Sequence, residues 1–271
     1  MSNLVKCFRD IIAVAAIGVV AFLLAGLVLQ VVYIADTDIR FLVSYVVPMV
    51  LMLIGVMLYN ILVIKPKERM MWSVRGLNPM VHIWGLVLLV ALAIVLAPLM
   101  RLLPSIESVV PSSVWAVVTV IFIAPIVEEL IFRAGVFSVL SNTCRPTVAA
   151  IVSSLLFGVM HGEVAVAIEA FFAGMIFSYA YIFTQSIFAP IILHIFNNII
   201  AYLLLQLSYQ DKSINDYIGA LESFDIIYAI SLLILVLGVV HIVVTCRRAD
   251  RLIKQGKTLS DMALDKVEEE K

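Results

Sequence analysis

Long apolar runs constrain the fold of this chain more than any other feature. Several windows of about 20 residues carry few or no charges, which is the length a helix needs to cross a bilayer. Of the 271 residues, 63% are hydrophobic and 14% are charged, and the mean hydropathy is +1.13. A helix that faces water needs a polar face, which these windows lack. The sequence therefore predicts an all-α polytopic membrane protein and excludes a soluble helical bundle.

Eight apolar segments are separated by charged or proline-containing connectors. The first lacks the small-residue cleavage site of a signal peptide, so we expect an uncleaved span. The fifth is short and opens at Pro146, where a proline suits the first turn of a helix. Residues 170–210 contain no Asp, Glu, Lys or Arg, and a polar stretch at 184–186 divides them into two spans. The predicted transmembrane helices are 11–35, 41–64, 82–103, 113–140, 146–161, 164–183, 187–208 and 226–246.

These helices suggest four parts of the chain. We expect helices 1–3 within residues 1–112, a core of helices 4–7 within 113–208, a loop and helix 8 within 209–246, and a cytoplasmic tail at 247–271. Lysine and arginine are concentrated on one side of this arrangement, which the positive-inside rule assigns to the cytoplasm. An even number of spans then puts both termini there. The predicted location is a plasma membrane, in which the chain is a multi-pass protein.

The three cysteines give little further information. Cys7, Cys144 and Cys246 contain no CxxC pair, and all three fall on the predicted cytoplasmic side. Thiols in a reducing compartment stay unpaired. We therefore expect no disulfide framework.

The segment PIVEELIFRAGV, residues 125–136, puts three charged side chains in the middle of the fourth span. Each charge at the centre of a membrane helix costs about 2.5–3.5 kcal/mol on insertion scales, so such groups face a protein interior or a watery cavity. Glu129 and Arg133 are i,i+4 neighbours that can pair on one helix face. Glu128 points about 100° away from Glu129. The spacing predicts one glutamate held by an arginine and one left for chemistry.

Two later helices carry further polar side chains at i,i+4 spacing. Phe157 and His161 end the fifth segment, and His194 and Asn198 lie in the seventh. A lone membrane histidine more often hydrogen-bonds a neighbouring helix than takes part in catalysis. That role does not account for the whole set of costly polar groups on three helices, which are Glu128, Glu129, Arg133, His161, His194 and Asn198.

The chemistry that such a set supports is the activation of water. A buried glutamate near a histidine can act as a general base, and a His–Asn pair can donate hydrogen bonds to a developing oxyanion. Neither HExxH nor GxSxG is present. A glutamate and two histidines could instead hold a zinc ion with one open position. We expect no cofactor, because the amide of Asn198 is a poor zinc ligand, and zinc stays open as the alternative.

Three motifs occur in order along these membrane segments: EE-x-x-x-R from Glu128 to Arg133, F-x-x-x-H from Phe157 to His161, and H-x-x-x-N from His194 to Asn198. In order and spacing they resemble the motifs of the CPBP intramembrane proteases, also called the Abi family. That family includes the type II CAAX prenyl endopeptidases and bacterial proteins linked to bacteriocin processing and self-immunity. The resemblance covers about residues 114–207. The chain departs from it at Ser178, where we expect glycine in many relatives.

The resemblance implies a bundle of about eight transmembrane helices with a catalytic cavity inside the membrane. It implies an endopeptidase that cleaves a membrane-associated peptide or protein. The roles that it implies by position are water activation by Glu128 with His161, site geometry by Glu129 with Arg133, and oxyanion stabilisation by His194 with Asn198.

Two other functions stay open at this stage. The same fold could serve a non-catalytic self-immunity or partner-binding protein, and a buried carboxylate could carry protons in a small transporter. The complete motif set favours the endopeptidase. The expected partners are the lipid bilayer and a peptide or protein substrate. The net charge of −1 means that the chain lacks the excess of basic residues that nucleic-acid binding requires.

Overall fold

Within the part of the chain that the structure describes, eight apolar helices make up the fold. The computed structural model describes residues 3–32, 34–65, 72–100, 102–103, 113–208 and 224–259. Across these ranges the regular structure is helical without a β-strand, which confirms the predicted all-α class. The helices are α1 Asn3–Val31, α2 Thr37–Tyr59, α3 Pro79–Met100, α4 Val114–Ser141, α5 Pro146–Val159, α6 Val164–Thr184, α7 Phe188–Ser208 and α8 Phe224–Lys254.

Six of these helices are long and apolar enough to cross a membrane, by length and composition. The apolar stretches Pro146–Val159 in α5 and Phe188–Leu204 in α7 are shorter than the other six. At 14 residues, α5 is about 21 Å long, less than the ~30 Å hydrocarbon core of a bilayer. The chain is therefore an integral, polytopic membrane protein in which one helix ends before it could cross.

The predicted helix ends differ most from the observed ones at the two ends of the chain. α1 begins at Asn3 rather than at residue 11, and α8 continues past residue 246 to Lys254. Long cationic side chains such as Lys6 and Arg251 can extend their charged ends towards water while their helix continues. The predictions made for the loops 104–112 and 209–223, and for the tail from residue 260, lie outside the described residues.

α4 contributes most of its length to the centre of the bundle. Ile131, Phe132, Val136 and Leu140 are fully buried along it. The helix is irregular, because Thr119–Ile123 and Leu130–Phe137 have π-helical hydrogen bonding on either side of Ala124–Glu129. Such π segments often occur at functional sites. The glutamate pair thus lies in a short regular stretch between two irregular ones.

α5 and α6 form the most extensive helix pair in the bundle. The two backbones approach closely at Gly158, where an added Cβ would lie 2.6 Å from the carbonyl oxygen of Ala167. Ser154 and Ser178 meet in the same interface, with their hydroxyl oxygens 3.3 Å apart. Ser178, the predicted departure from the family pattern, therefore contributes a buried contact between helices.

The outer helices are much less covered by protein. Of the apolar window of α6, 56% is buried inside the bundle, against 22% for α1 and 11% for α8. Apolar side chains such as Leu233 and Val239 on α8 are more than half exposed. These are the faces that lipid would cover, since hydrocarbon is as favourable a neighbour for them as a protein core.

The expectation that the cysteines stay unpaired is wrong. Cys7 and Cys144 form a disulfide bond with Cα atoms 5.1 Å apart, and Cys246 is buried and free. The two bonded residues are 137 positions apart and meet because the first turns of α1 pack beside the end of α4. Asp10 supports the same contact by accepting a hydrogen bond of 2.7 Å from the Thr143 hydroxyl. No spacing rule along the sequence could reveal this pairing.

Candidate active site

The three motifs surround one cavity of about 450 Å³, which we call the carboxylate cavity. Side chains from α2, α3, α4, α6 and α7 line it, together with the end of α5. Most of its wall is apolar, and none of the described residues that line it is Lys or Arg. Its polar lining residues are Tyr45, Glu128, His161, Glu169, His194, Asn197, Asn198 and Tyr202.

Glu129, Arg133 and His194 form a hydrogen-bonded cluster behind this wall. The Arg133 Nη1 group donates to Glu129 Oε1 over 2.8 Å, and both side chains are fully buried. The His194 Nδ1 atom lies 2.9 Å from the same carboxylate oxygen. The i,i+4 pair expected from the spacing is therefore present, and it extends to a histidine 65 residues further along the chain.

The Arg133 guanidinium is also held by α6 and by aromatic rings. Its Nη2 group donates to the backbone carbonyl of Gly174 over 2.8 Å. Its central carbon lies 4.9 Å from the ring centroid of Phe157 and 5.4 Å from that of Phe177. A Cβ added at Gly174 would lie 3.0 Å from Nη2. Glycine at this position lets the guanidinium reach the backbone.

Glu128 projects into the cavity and has a partner that the sequence analysis missed. The Tyr45 hydroxyl on α2 donates a hydrogen bond to Glu128 Oε1, and Glu128 Oε2 lies 3.6 Å from His194 Nε2. Tyr45 belongs to a segment to which the motif resemblance does not extend. A tyrosine within an apolar span is a weak signal, and only the packing of α2 against α4 identifies its partner.

His161 lies just beyond the end of α5, where the chain turns into α6. Its Nδ1 atom is 2.9 Å from the carbonyl oxygen of Phe157. A carbonyl oxygen only accepts hydrogen bonds, so Nδ1 carries the proton. In the neutral ring the Nε2 atom is then a lone-pair acceptor. Gly162 adopts a φ of +74° in the same turn, a conformation that glycine adopts without strain.

Asn198 lines the cavity and is fixed to α4. Its Nδ2 group donates to the Val120 carbonyl oxygen over 2.9 Å. Val120 lies in the π-helical stretch Thr119–Ile123. The second N–H of the Asn198 amide remains for another acceptor, because an amide nitrogen carries two donors. Asn197 adds a hydrogen bond of 3.4 Å to Asn198 Oδ1.

The zinc alternative does not fit the arrangement of these side chains. In the parts of the chain that the structure describes, no group of three His, Cys, Asp or Glu residues is placed to hold a metal ion. Glu128 and His194 approach each other to 3.6 Å, and His161 lines the same cavity without joining them in such a group.

Comparison with known proteins bears on the segment that carries the site. A family model described as type II CAAX prenyl endopeptidase Rce1-like matches residues 110–200. The predicted resemblance is confirmed. The matched segment contains all six predicted site residues and extends from the start of α4 into α7.

Two curated relatives match a similar stretch. The chain is 35% identical over 82 residues to the membrane-embedded CAAX protease MroQ of Staphylococcus aureus (strain USA300). The aligned stretch covers 28% of this chain and 33% of the relative. It is 32% identical over 76 residues to a Bacillus subtilis (strain 168) protein named "Putative membrane peptidase YdiL", covering 28% of this chain and 31% of the relative. The chain thus spans about a third of the length of the curated relatives it matches. No solved structure matches it significantly.

Proposed function

We propose that this protein is an intramembrane endopeptidase that hydrolyses a peptide bond in a membrane-associated peptide or protein. The observation that carries the proposal is the meeting of Glu128, His161 and His194 at one cavity whose wall is otherwise mostly apolar. A carboxylate and two imidazoles at a cavity enclosed by apolar helices are suited to activating a confined water molecule. The similarity to CAAX proteases over residues 110–200 supports the same reaction class.

The attacking water would be bound between Glu128 and a histidine. Glu128 Oε2 and His194 Nε2 are 3.6 Å apart, too far for a direct hydrogen bond and close enough for one water molecule to contact both. His161 lines the same cavity, and its Nε2 is the acceptor of the neutral ring because Nδ1 donates to the Phe157 carbonyl oxygen. Glu128 with His161 would take the proton of the water as its oxygen attacks the carbonyl carbon. The proton would then pass to the amine that leaves.

The negative charge that develops on the substrate's carbonyl oxygen must be stabilised by hydrogen-bond donors. Asn198 retains one amide N–H for this purpose after its bond to Val120. His194 donates Nδ1–H to Glu129, so its Nε2 can donate only in the imidazolium form. Donors of this kind, fixed before the reaction, stabilise a transition state more than a ground state.

Glu129, Arg133 and Tyr45 would act by positioning the reacting groups. Glu129 orients the His194 ring, and Arg133 compensates the charge of Glu129 in a fully buried place. The Tyr45 hydroxyl orients the Glu128 carboxylate. Groups that lock a catalytic side chain in place contribute to the rate without touching the substrate.

Cleavage of defined peptides by the purified protein would test the proposal. The full chain in lipid vesicles is incubated with membrane-associated peptides, with and without a prenylated cysteine near the C-terminus, and the products are identified by mass spectrometry. The proposal expects a new N-terminus in the wild-type sample and none with Glu128→Gln. A Glu128→Gln sample that cleaves like the wild type would overturn it. The self-immunity alternative expects protection of host cells to survive Glu128→Gln.

We also propose that both termini face the cytoplasm of a bacterial plasma membrane. The excess of lysine and arginine at the N-terminus, after α2 and along the end of α8 supports this orientation. The Cys7–Cys144 disulfide at the same end of the bundle favours the opposite orientation in the membrane, because disulfides persist mainly in oxidising compartments. Reporter fusions after residue 40, near residue 70 and after residue 271 distinguish the two membrane orientations. A loop near residue 70 on the opposite side from the C-terminus would contradict the placement of both termini in the cytoplasm.

A further inference from the structure

A second cavity lies among the helix ends far from the glutamates. It measures about 540 Å³ and is bordered by the start of α1, the end of α2, the ends of α4 and α6, and the residues after α8. Four cations line it, Lys6, Arg9, Lys65 and Lys257, and none of the described lining residues is acidic. We call this cavity the basic recess.

We propose that the basic recess binds a phosphate-type anion, carried by the headgroup of an acidic phospholipid or by a soluble phosphate compound. Lysine and arginine at a recess between membrane helices suit such headgroups, because each cation attracts the phosphate in an interface of low polarity. Ser138, Ser141 and Asn142 add hydroxyl and amide groups to the lining. The proposal is independent of the peptidase reaction.

Asp10 on α1 forms an ion pair with one of these cations, Arg9. Asp10 is fully buried, and its two oxygens already accept hydrogen bonds of 2.7 Å from Arg9, Tyr59 and Thr143. These bonds fix the Arg9 side chain, which is still 42% exposed. Arg9 is thereby held in one orientation with part of its guanidinium accessible. A donor that is positioned before binding loses less entropy when the ligand arrives.

Helix ends oppose the cations to a limited extent. α2, α4, α6 and α8 all end near the recess, and each helix C-terminus carries about half a negative charge. These partial charges act mainly within the last turn of each helix, whereas the four cations line the recess itself and none of its described lining residues is acidic. The recess therefore favours an anion over a cation.

The sides of the recess are fastened to one another. The Cys7–Cys144 disulfide joins the first turns of α1, with Lys6 and Arg9, to the loop after α4. The Asp10–Thr143 hydrogen bond closes the same contact one turn further along α1. The cations of α1 and the polar end of α4 are thus held together by covalent and hydrogen bonds, and the recess does not depend on the chance placement of surface lysines.

An apolar flank next to the recess favours a lipid as the carrier of the phosphate. Ile61 and Leu62 after α2 are both 64% exposed. Val63 and Ile64 continue this flank into the lining of the recess. A headgroup in the recess would leave its acyl chains against these side chains.

Lipid titration of the full chain tests the proposal. The protein is purified in neutral detergent and titrated with phosphatidylglycerol or phosphatidylcholine of the same chain length, and bound lipid is counted by native mass spectrometry. Inorganic phosphate is tested separately by thermal denaturation, against chloride at equal ionic strength. The test variant is Lys6→Gln with Lys65→Gln. The matched control is Arg247→Gln with Lys254→Gln, which removes the same amount of charge from the end of α8, at the same end of the bundle but outside the lining of the recess. Lys65→Gln alone serves if the double variant does not fold.

The proposal expects phosphatidylglycerol to bind more tightly than phosphatidylcholine. Its dissociation constant should rise roughly 30-fold in the Lys6/Lys65 variant and less than about threefold in the control. Stabilisation by inorganic phosphate that the Lys6/Lys65 variant loses supports the same site with a soluble ligand. Equal weakening by both variant pairs would show only diffuse attraction to a basic face, and would overturn the proposal. Equal binding of the two lipids without an effect of phosphate would overturn it as well.

Discussion

The carboxylate cavity and the basic recess are of similar size, about 450 and 540 Å³, and of opposite chemistry. The cavity is lined by glutamates, histidines and apolar side chains, and the recess by four cations. α4 and α6 contribute to both. On α4, Glu128 lines the cavity and Ser138 lines the recess ten residues further along the helix.

The difference lies in how each region compensates its charge. Arg133 is completely buried and sits between a carboxylate, a backbone carbonyl and two aromatic rings. Arg9 pairs with Asp10 as well, yet remains 42% exposed beside a recess. A buried pair is costly to break because neither charge can turn to water. The comparison predicts that substitutions at the glutamates affect catalysis and folding, whereas substitutions at the recess affect binding.

The largest effect is expected from Glu128→Gln. The amide cannot accept the proton of the attacking water, so kcat/KM for a cleaved peptide should fall about 10²–10⁴-fold. Its side-chain oxygen can still accept the Tyr45 hydrogen bond, so the thermal midpoint should stay near that of the wild type. Glu169→Gln, which removes another carboxylate from the same cavity, is the control and should lower kcat/KM less than about tenfold. Equal losses in the two variants would mean that Glu128 has no special role.

Arg133→Ala should destabilise the protein strongly. It leaves Glu129 buried without its cation, which costs about 3–5 kcal/mol of unfolding free energy. Unfolding in mixed detergent micelles measures the loss. The double variant Glu129→Gln with Arg133→Met removes both charges and should recover part of that stability. If the double variant were no more stable than Arg133→Ala, the uncompensated charge would not be the cause.

Cys7→Ala tests the covalent link between α1 and α4. Because the bond closes a long loop, its removal should lower the unfolding free energy by about 2–4 kcal/mol. The matched control is Cys246→Ala, which changes a buried cysteine that forms no disulfide. Thiol labelling of the unreduced wild-type protein should detect one cysteine after denaturation. Detection of three would contradict the disulfide.

The smallest effect is expected from Tyr45→Phe. The change removes one hydrogen bond to a carboxylate, worth about 1.5 kcal/mol, and should lower kcat/KM roughly tenfold. Tyr202→Phe removes a hydroxyl from the same cavity and serves as the control. A loss restricted to Tyr45→Phe, with unchanged unfolding, indicates that the hydroxyl orients Glu128. Equal changes in both variants would remove Tyr45 from the site.

The membrane fold and the identity of the candidate site residues could be read from the sequence. Apolar length determines which segments span a bilayer, and charges within those segments are too costly to occur without a protein partner. The i,i+4 contact between Glu129 and Arg133 is a property of one helix. The helices therefore lie close to their predicted positions along the core, from α4 through α7.

Contacts between distant segments were decided by the tertiary structure alone. Tyr45 reaches Glu128 from 83 residues away, and Cys7 bonds to Cys144 across 137 residues. Local spacing carries no information about which helix faces meet, because that depends on how side chains from several helices pack together. For the same reason the cations of the basic recess are unremarkable along the chain and become a site only where the ends of α1, α2, α4 and α6 come together.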